Sequence, residues 1–203
     1  MTLSTSSSER AYHHGDLRQE LLRASRELIE ERGPEAFTLR EVARRAGVSH
    51  TAPYRHFRDR GAILDAVAAE GFAAHRDAGR RAAAEHTDAK ERLRAAGRAY
   101  VQFALDNRAA FRVMFARSPE NPAVAALGAE SFAELLARID EGQAAGVIGA
   151  GNRLRIAGVL WSGVHGLAEL AVSGSLALVA EGDSEAMIDF ALETLLRGLE
   201  GDS

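Results

Sequence analysis

The 203-residue chain contains no cysteine, which excludes disulfides, thiolate metal sites and a cysteine nucleophile. Proline is scarce too, at four residues, and beside abundant Ala, Leu, Arg and Glu that scarcity points to helix. No run approaches eighteen uninterrupted apolar residues, so no membrane span is expected. The opening MTLSTSSSER lacks the apolar core of a signal peptide, and a cytoplasmic setting is the expectation. What is present is ordinary for a soluble globular chain: 46% hydrophobic and 27% charged residues. The length suffices for one large domain or two small ones with a real core.

A net charge of −4 hides an asymmetry. Residues 1–60 hold eleven Lys/Arg against nine Asp/Glu, and the remainder fourteen against twenty. Within 38–60 alone, Arg40, Arg44, Arg45, Arg55, Arg58 and Arg60 face only Glu41 and Asp59. A local basic patch on an acidic body suits a protein that touches phosphate at one end. A solvated charged surface is the plainer reading of an arginine cluster.

The stretch 38–57 decides between them, because it reads as two short helices around a tight turn. Leu39, Val42, Ala43 and Ala46 make one apolar stripe, and Gly47 supplies the permissive backbone of a helix end. Ser49 is the expected cap of a second helix carrying His50, Thr51, Tyr54, Arg55 and His56, with Phe57 turned inward. Pro53 lacks an amide proton, which moves the start of that helix one or two residues later. An outer face of hydroxyl, aromatic and basic groups suits a DNA major groove.

Elsewhere the pattern is helical throughout. Residues 1–11, Ser/Thr-rich, are expected to be a disordered arm. A first helix spans 12–32, with Leu17, Leu21, Ala24 and Leu28 on one stripe, and Gly33-Pro34 stops it. Thr38 caps the next, and Asp59 caps a long fourth helix reaching 84. Further helices are expected at 88–106, 108–117, 121–145, 152–174 and 184–200, separated in one place by GVIGAG at 146–151. That run lacks the spacing and the preceding strand of a phosphate loop. About nine helices and an all-α fold result.

Two late helices suggest a homodimer seam. Gly158, Ser162 and Gly166 lie four apart and permit close helix approach. The last helix has two apolar stripes; one is Met187, Phe190, Ala191 and Leu195, the other Ile188, Leu192, Leu196 and Leu199. The second, with Gly158, Ser162 and Gly166, is assigned to the dimer, an internal bundle core being the alternative. Phe103, Phe111, Met114, Phe115, Trp161 and His165 are the candidates for a cavity lining, against the plainer reading of packed core.

The N-terminal sixty residues resemble the TetR family of bacterial transcriptional regulators. The carriers are Leu21-x-x-Ala24-x-x-x-Leu28-Ile29 in the first helix, Phe37-Thr38-Leu39-Arg40, Val42-Ala43-x-x-Ala46-Gly47-Val48-Ser49, Tyr54-x-His56-Phe57-x-x-Arg60 and Ile63-Leu64. YHHGDLR at 12–18 and WSGVHG at 161–166 resemble the subgroup whose C-terminal region is called the WHG domain. The resemblance implies a DNA-binding domain at 12–72, with its helix-turn-helix at 38–57, and an effector-binding and dimerisation domain at 73–203. The long fourth helix would join them. It implies phosphate contacts from Thr38, Tyr54 and Arg60, and base contacts from Arg40, His50, Thr51 and Ala52. Arg55 and His56 would approach the DNA backbone or groove wall. Gly61 departs from the family pattern, which commonly has a charged residue there.

The implied function is that of a DNA-binding transcriptional regulator, a homodimeric repressor released from a pseudo-palindromic double-stranded operator by a small-molecule effector. No cofactor, metal or membrane is called for, and no enzymatic activity. Two other classes compete: a helical protein-interaction adaptor, and an enzyme built on His165 and Glu169. The adaptor leaves the arginine-rich, tyrosine-bearing segment unexplained, and the enzyme lacks a nucleophile elbow or metal motif.

Overall fold

The computed structural model describes residues 14–116 and 121–200. The expected arm at 1–11 and the Tyr12-His13 pair lie outside the described residues. Eight α-helices and two short 3-10 turns make up the described residues, with no strand among them. The chain divides into two compact units between Leu64 and Asp65.

The first unit is built on α1 (His14–Arg32) and α2 (Leu39–Arg45). Leu21, Leu22, Ala24 and Ile29 of α1 are fully buried, and Leu17 and Leu28 nearly so. They meet Leu39, Val42 and Ala43 of α2, and Phe37, Pro53, Phe57, Ile63 and Leu64 complete a dry core. The one buried polar residue among those described, Ser25, donates its hydroxyl to the Leu21 carbonyl at 2.7 Å. Its hydrogen bond is therefore made inside the helix, and no partner is needed across the core.

Helix α2 opens with a capping box. Thr38 Oγ1 accepts from the Glu41 amide, and Glu41 accepts from the Thr38 amide at 2.9 Å. It closes at Gly47, whose φ of +68° lies in the left-handed region. There the Val48 amide reaches Ala43 O at 3.0 Å and the Gly47 amide reaches Arg44 O at 3.2 Å. This paired closure satisfies the last free carbonyls, and a side chain at Gly47 would oppose it.

The segment after that turn is shorter than its sequence suggests. It is a single 3-10 turn, Ala52–Arg55, not an α-helix starting at Ser49. Thr51 holds the cap position without a side-chain hydrogen bond, while Ser49 Oγ lies 3.3 Å from Thr51 Oγ1. Ser49 is therefore not the cap. Pro53 brings no amide proton to the first turn, and the Pro53 carbonyl takes both the His56 and Phe57 amides at 2.9 Å, which ends the element. Asp59 then caps α3 (Arg60–Ala84), accepting from the Ala62 amide at 2.8 Å. Gly61 sits in that first turn, where a Cβ would stand 3.1 Å from the capping oxygen.

The second unit contains most of α3 with α4 (Ala89–Asp106), α5 (Arg108–Ala116), α6 (Pro122–Ala144), α7 (Arg153–Ser173) and α8 (Ser184–Arg197). Asp88, Asn121, Asn152 and Asp183 each accept a backbone amide at a helix start. Helix α7 packs against α4, α6 and α8. Its core contacts centre on Leu93, Ile139, Ile148, Ala157, Leu160 and Leu196. Ile148 enters that core from the 146–151 break, which is tied down by the Gly149 amide to Leu199 O at 2.8 Å. By length and composition α7 would suffice to cross a membrane, with only 28% of its most apolar window buried. Here it is the central helix of a helical unit.

The seam expected on α8 is corrected by this packing. Ile188, Leu192 and Leu196 are 8%, 5% and 6% exposed in the single chain, and Leu199 packs beside them. That stripe serves the chain's own core, because α8 turns it toward α4 and α7. Phe190 on the other stripe is 65% exposed.

Candidate nucleic-acid interface and ligand cavity

In the first unit, the exposed groups around the α2 turn are Arg40, Arg44, Ser49, His50, Thr51, Tyr54 and Arg55. Tyr54 keeps 54% of its surface exposed although Phe57, three residues on, is buried. Ala52 and His56 are half-buried, and the His56 ring lies 6.5 Å from Phe57.

The arginine cluster is less uniform than its sequence. Arg45 forms a two-pronged pair with Glu31, both contacts at 2.7 Å, and also reaches Glu27 at 3.3 Å. Its guanidinium holds the Glu31 carboxyl below the usual range. Arg60 is held by Glu35 through both its carboxylate and its backbone carbonyl. Arg58 pairs with Asp59 at 3.1 Å. Arg40, Arg44 and Arg55 are exposed and have no ion-pair partner among the described residues. The partners Glu27, Glu31 and Glu35 precede the 38–60 window, so a count within that window overstates the free charge.

Thr38 has an exposed side chain with an engaged hydroxyl. It donates to Glu41 Oε2 at 3.0 Å while serving as the cap. The Thr38 hydroxyl, and after it Arg32, hold the Glu41 carboxyl below its ordinary range. A carboxylate thus already complements the positive end of α2.

The second unit holds a cavity of about 510 Å³ between α3, α4, α5, α6, α7 and α8, a size suited to a small organic ligand. Phe115 and Trp161 line it as expected. Phe103, Phe111 and Met114 do not; they are 5%, 1% and 4% exposed and belong to the packed core. Their helical spacing could not separate a cavity wall from a core, since both require apolar side chains.

His165 does not line the cavity either. Its Nδ1 lies 2.8 Å from the Tyr100 hydroxyl, and its Nε2 3.8 Å from Glu169. Burial pushes the Tyr100 hydroxyl well above its usual pKa, which keeps it protonated and able to donate to His165. Phe111, Phe115 and Trp161 surround the imidazole at 5.3, 4.8 and 6.1 Å between ring centroids. His165 is anchored in an aromatic cluster beside the cavity.

The polar residues of the wall were missed. His75, Arg76, Ser131, Glu134 and Arg138 line it from α3 and α6. His75 sits edge-on to Tyr100 at 4.8 Å and Phe103 at 5.4 Å. Burial first, then the Arg138 charge, lowers its pKa to about 4, so it is neutral at pH 7. The signal was present as His75 on the buried face of α3 and as Ser131, Glu134 and Arg138 at i, i+3 and i+7 on α6.

On α7 the small-residue face is open. Gly158 is half-buried, Ser162 and Gly166 are exposed, and a Cβ on either glycine would meet nothing within 4 Å. Leu154 and Leu170 extend the same four-residue spacing and are 57% and 46% exposed. The close approach of α7 to α8 occurs instead at Gly163, where a Cβ would come within 2.6 Å of Leu195 Cδ1.

Comparison with known proteins matches these two parts separately. Residues 21–67 match the model of bacterial regulatory proteins of the tetR family, and residues 93–195 that of a tetracyclin repressor-like C-terminal domain. No curated protein matches. Among solved structures, a protein of unknown function from Rhodococcus sp. RHA1 is 39% identical, with 94% of this chain and 99% of that one covered and a TM-score of 0.78. The TetR-family regulator PfmR from Thermus thermophilus is 25% identical over 89% of this chain and 98% of its own, with a TM-score of 0.72. A tetR-family regulatory protein from Rhodococcus RHA1, at 24% identity, 91% and 97% coverage and a TM-score of 0.76, shares the fold. With the two matched models covering the helix-turn-helix segment and most of the cavity-bearing unit, this chain belongs to the tetR family of bacterial regulatory proteins.

Proposed function

We propose that this chain is a cytoplasmic, homodimeric transcriptional repressor that leaves a pseudo-palindromic DNA operator when a small molecule fills its second unit. The observation that carries the reading is the exposed set His50, Thr51, Tyr54 and Arg55 just beyond the Gly47 turn. Residues 12–72 are assigned to DNA and 73–203 to effector and dimer. His50, Thr51 and Arg40 address base edges, with Ala52 offering a methyl to thymine. Tyr54, Arg55 and His56 address phosphates and the groove wall, and Ser49 flanks them. Thr38 and Arg60 reach phosphate by exchanging contacts they now make with Glu41 and Glu35.

The dimer uses the open stripe Leu154, Gly158, Ser162, Gly166 and Leu170 of α7 with Phe190 of α8. Ser162 Oγ donates to Gly158 O at 2.6 Å, which leaves no demand on a partner. Two such chains would set their reading segments about 34–36 Å apart, one turn of DNA. An effector releases the operator only by binding the DNA-incompetent state better, by roughly 1–3 kcal/mol.

Two measurements test this. Sedimentation should give a dimer that Phe190→Asp or Leu170→Asp converts to a folded monomer; persistence of the dimer in both would move the seam elsewhere. Titration against point-altered duplexes should show His50→Ala and Thr51→Val reordering sequence preference, and an unchanged order would remove them from base contact.

A further inference from the structure

The cavity is apolar along most of its wall, with Leu93, Phe132, Leu135, Trp161 and Leu195 among its lining. Its polar groups come from α3, α4 and α6, and their charges do not balance. Arg138 is 15% exposed at its side chain, and its one carboxylate contact among the described residues is Glu134 Oε2 at 3.5 Å. That same Glu134 takes Arg80 at 2.6 Å and faces Arg76 Nε at 3.8 Å, while Arg76 is also held by Glu130. On α4, Arg94, which also lines the cavity, is satisfied by Glu91, and Arg92 lies 3.5 Å from Glu141. Five arginines thus meet four glutamates, and of the three that line the cavity, Arg76, Arg94 and Arg138, it is Arg138 that has the poorest partner.

Burial also counts against Arg138, lowering its pKa from the ordinary guanidinium value. A guanidinium so desolvated gains strongly from a second anion. Apart from Arg76 Nε and Glu134 Oε1, which are ion-paired, two more groups on this wall have no hydrogen-bond partner, His75 Nδ1 and Ser131 Oγ. With the imidazole neutral, neither brings a charge of its own, and each can complete a hydrogen bond to an oxygen. A cationic ligand would meet Arg138 unfavourably. A purely apolar ligand would leave His75 Nδ1 and Ser131 Oγ without partners and Arg138 with Glu134 alone.

Taking the cavity as the effector site, we propose that it binds an apolar carboxylic acid. The carboxylate lies against Arg138, with His75 and Ser131 as neutral hydrogen-bond partners in the same polar band. The alkyl or aryl body packs among Phe72, Phe132 and Trp161. Arg138 is a specificity residue in this arrangement, because it selects the charge of the head group rather than the shape of the body.

Trp161 is the one tryptophan of the chain and lines the cavity, so its emission reports occupancy directly. The full chain is titrated with decanoate, decan-1-ol and decylammonium, and with para-pentylbenzoate and the matching benzyl alcohol. Wild type should bind at least one acid about ten-fold or more tighter than its own alcohol, with the ammonium weakest. Arg138→Gln should bring acid and alcohol together, and Arg138→Lys should keep part of the preference. Alcohols that bind as well as both acids overturn the head-group assignment and leave the effector cavity standing. Failure of every ligand to bind overturns the cavity reading as well. The wild-type pairs decide the matter even if a variant does not fold, and a folded Arg138→Gln that keeps the preference also overturns it.

Discussion

Around Phe57 and around Phe115 the same kind of residue does opposite work. In the first unit Phe57 closes a core with Leu21, Leu22, Ile29 and Val42, all essentially inaccessible, and the chemistry is left on the outside. In the second, Phe115 and Trp161 stand at the edge of about 510 Å³ of open space, and the unusual polar groups point inward. A small unit has one inside, so its exposed residues are the only ones able to meet a partner. A six-helix unit can leave its inside incompletely filled, and there burial does not mean packing.

Paired aromatic truncations probe that contrast with the largest expected effect. Phe111→Ala, deep in the packed part, should cost about 3–5 kcal/mol in denaturant unfolding. Phe115→Ala, half-buried on the cavity wall, should cost clearly less and change ligand binding more. Equal losses would mean that the cavity wall is core in energetic terms.

His75 gives the next largest effect. Its folded pKa near 4 lies below the ordinary 6.5, so the unfolded chain binds the proton more tightly. The stability this neutral histidine retains at pH 7 is therefore lost as pH falls from about 6.5 to about 4, on the order of 3 kcal/mol in total. Unfolding midpoints across that range should slope downward toward acid, and His75→Leu should flatten that part of the slope. An unaltered slope would show that other groups carry it.

Smaller effects belong to the first unit. Thr38→Ala removes the α2 cap and should cost about 1 kcal/mol, read by thermal unfolding. On a chosen duplex, Arg55→Ala should lower the salt slope of binding by about one unit, whereas Arg45→Ala, already committed to Glu31, should leave it nearly unchanged. Equal changes would mean that the Arg45–Glu31 pair opens on DNA as the Arg60–Glu35 pair is proposed to.

The sequence made the first unit legible because α1 and α2 each present one apolar stripe and the Gly47 closure is local. It misled at Ser49, where Pro53 reduced an expected helix to one turn, and at Arg45 and Arg60, whose partners lie outside the window counted. In the second unit the helices were legible from their caps and apolar periods. Their faces were not: α7 and α8 are apolar on more than one side, and nothing local tells Leu192, which faces α4, from Phe190, which faces outward. The cavity is a property of six helices together, so Phe103 and Phe111 looked no different from Phe115, and Arg138 looked like a surface arginine.

The most direct test of the account is selection of bound duplexes by the full chain from a random pool at fixed salt. A palindromic motif whose half-sites are about one helical turn apart should be enriched, and lost when His50 and Thr51 are replaced together. Binding with no motif enriched over non-specific sequence would contradict it.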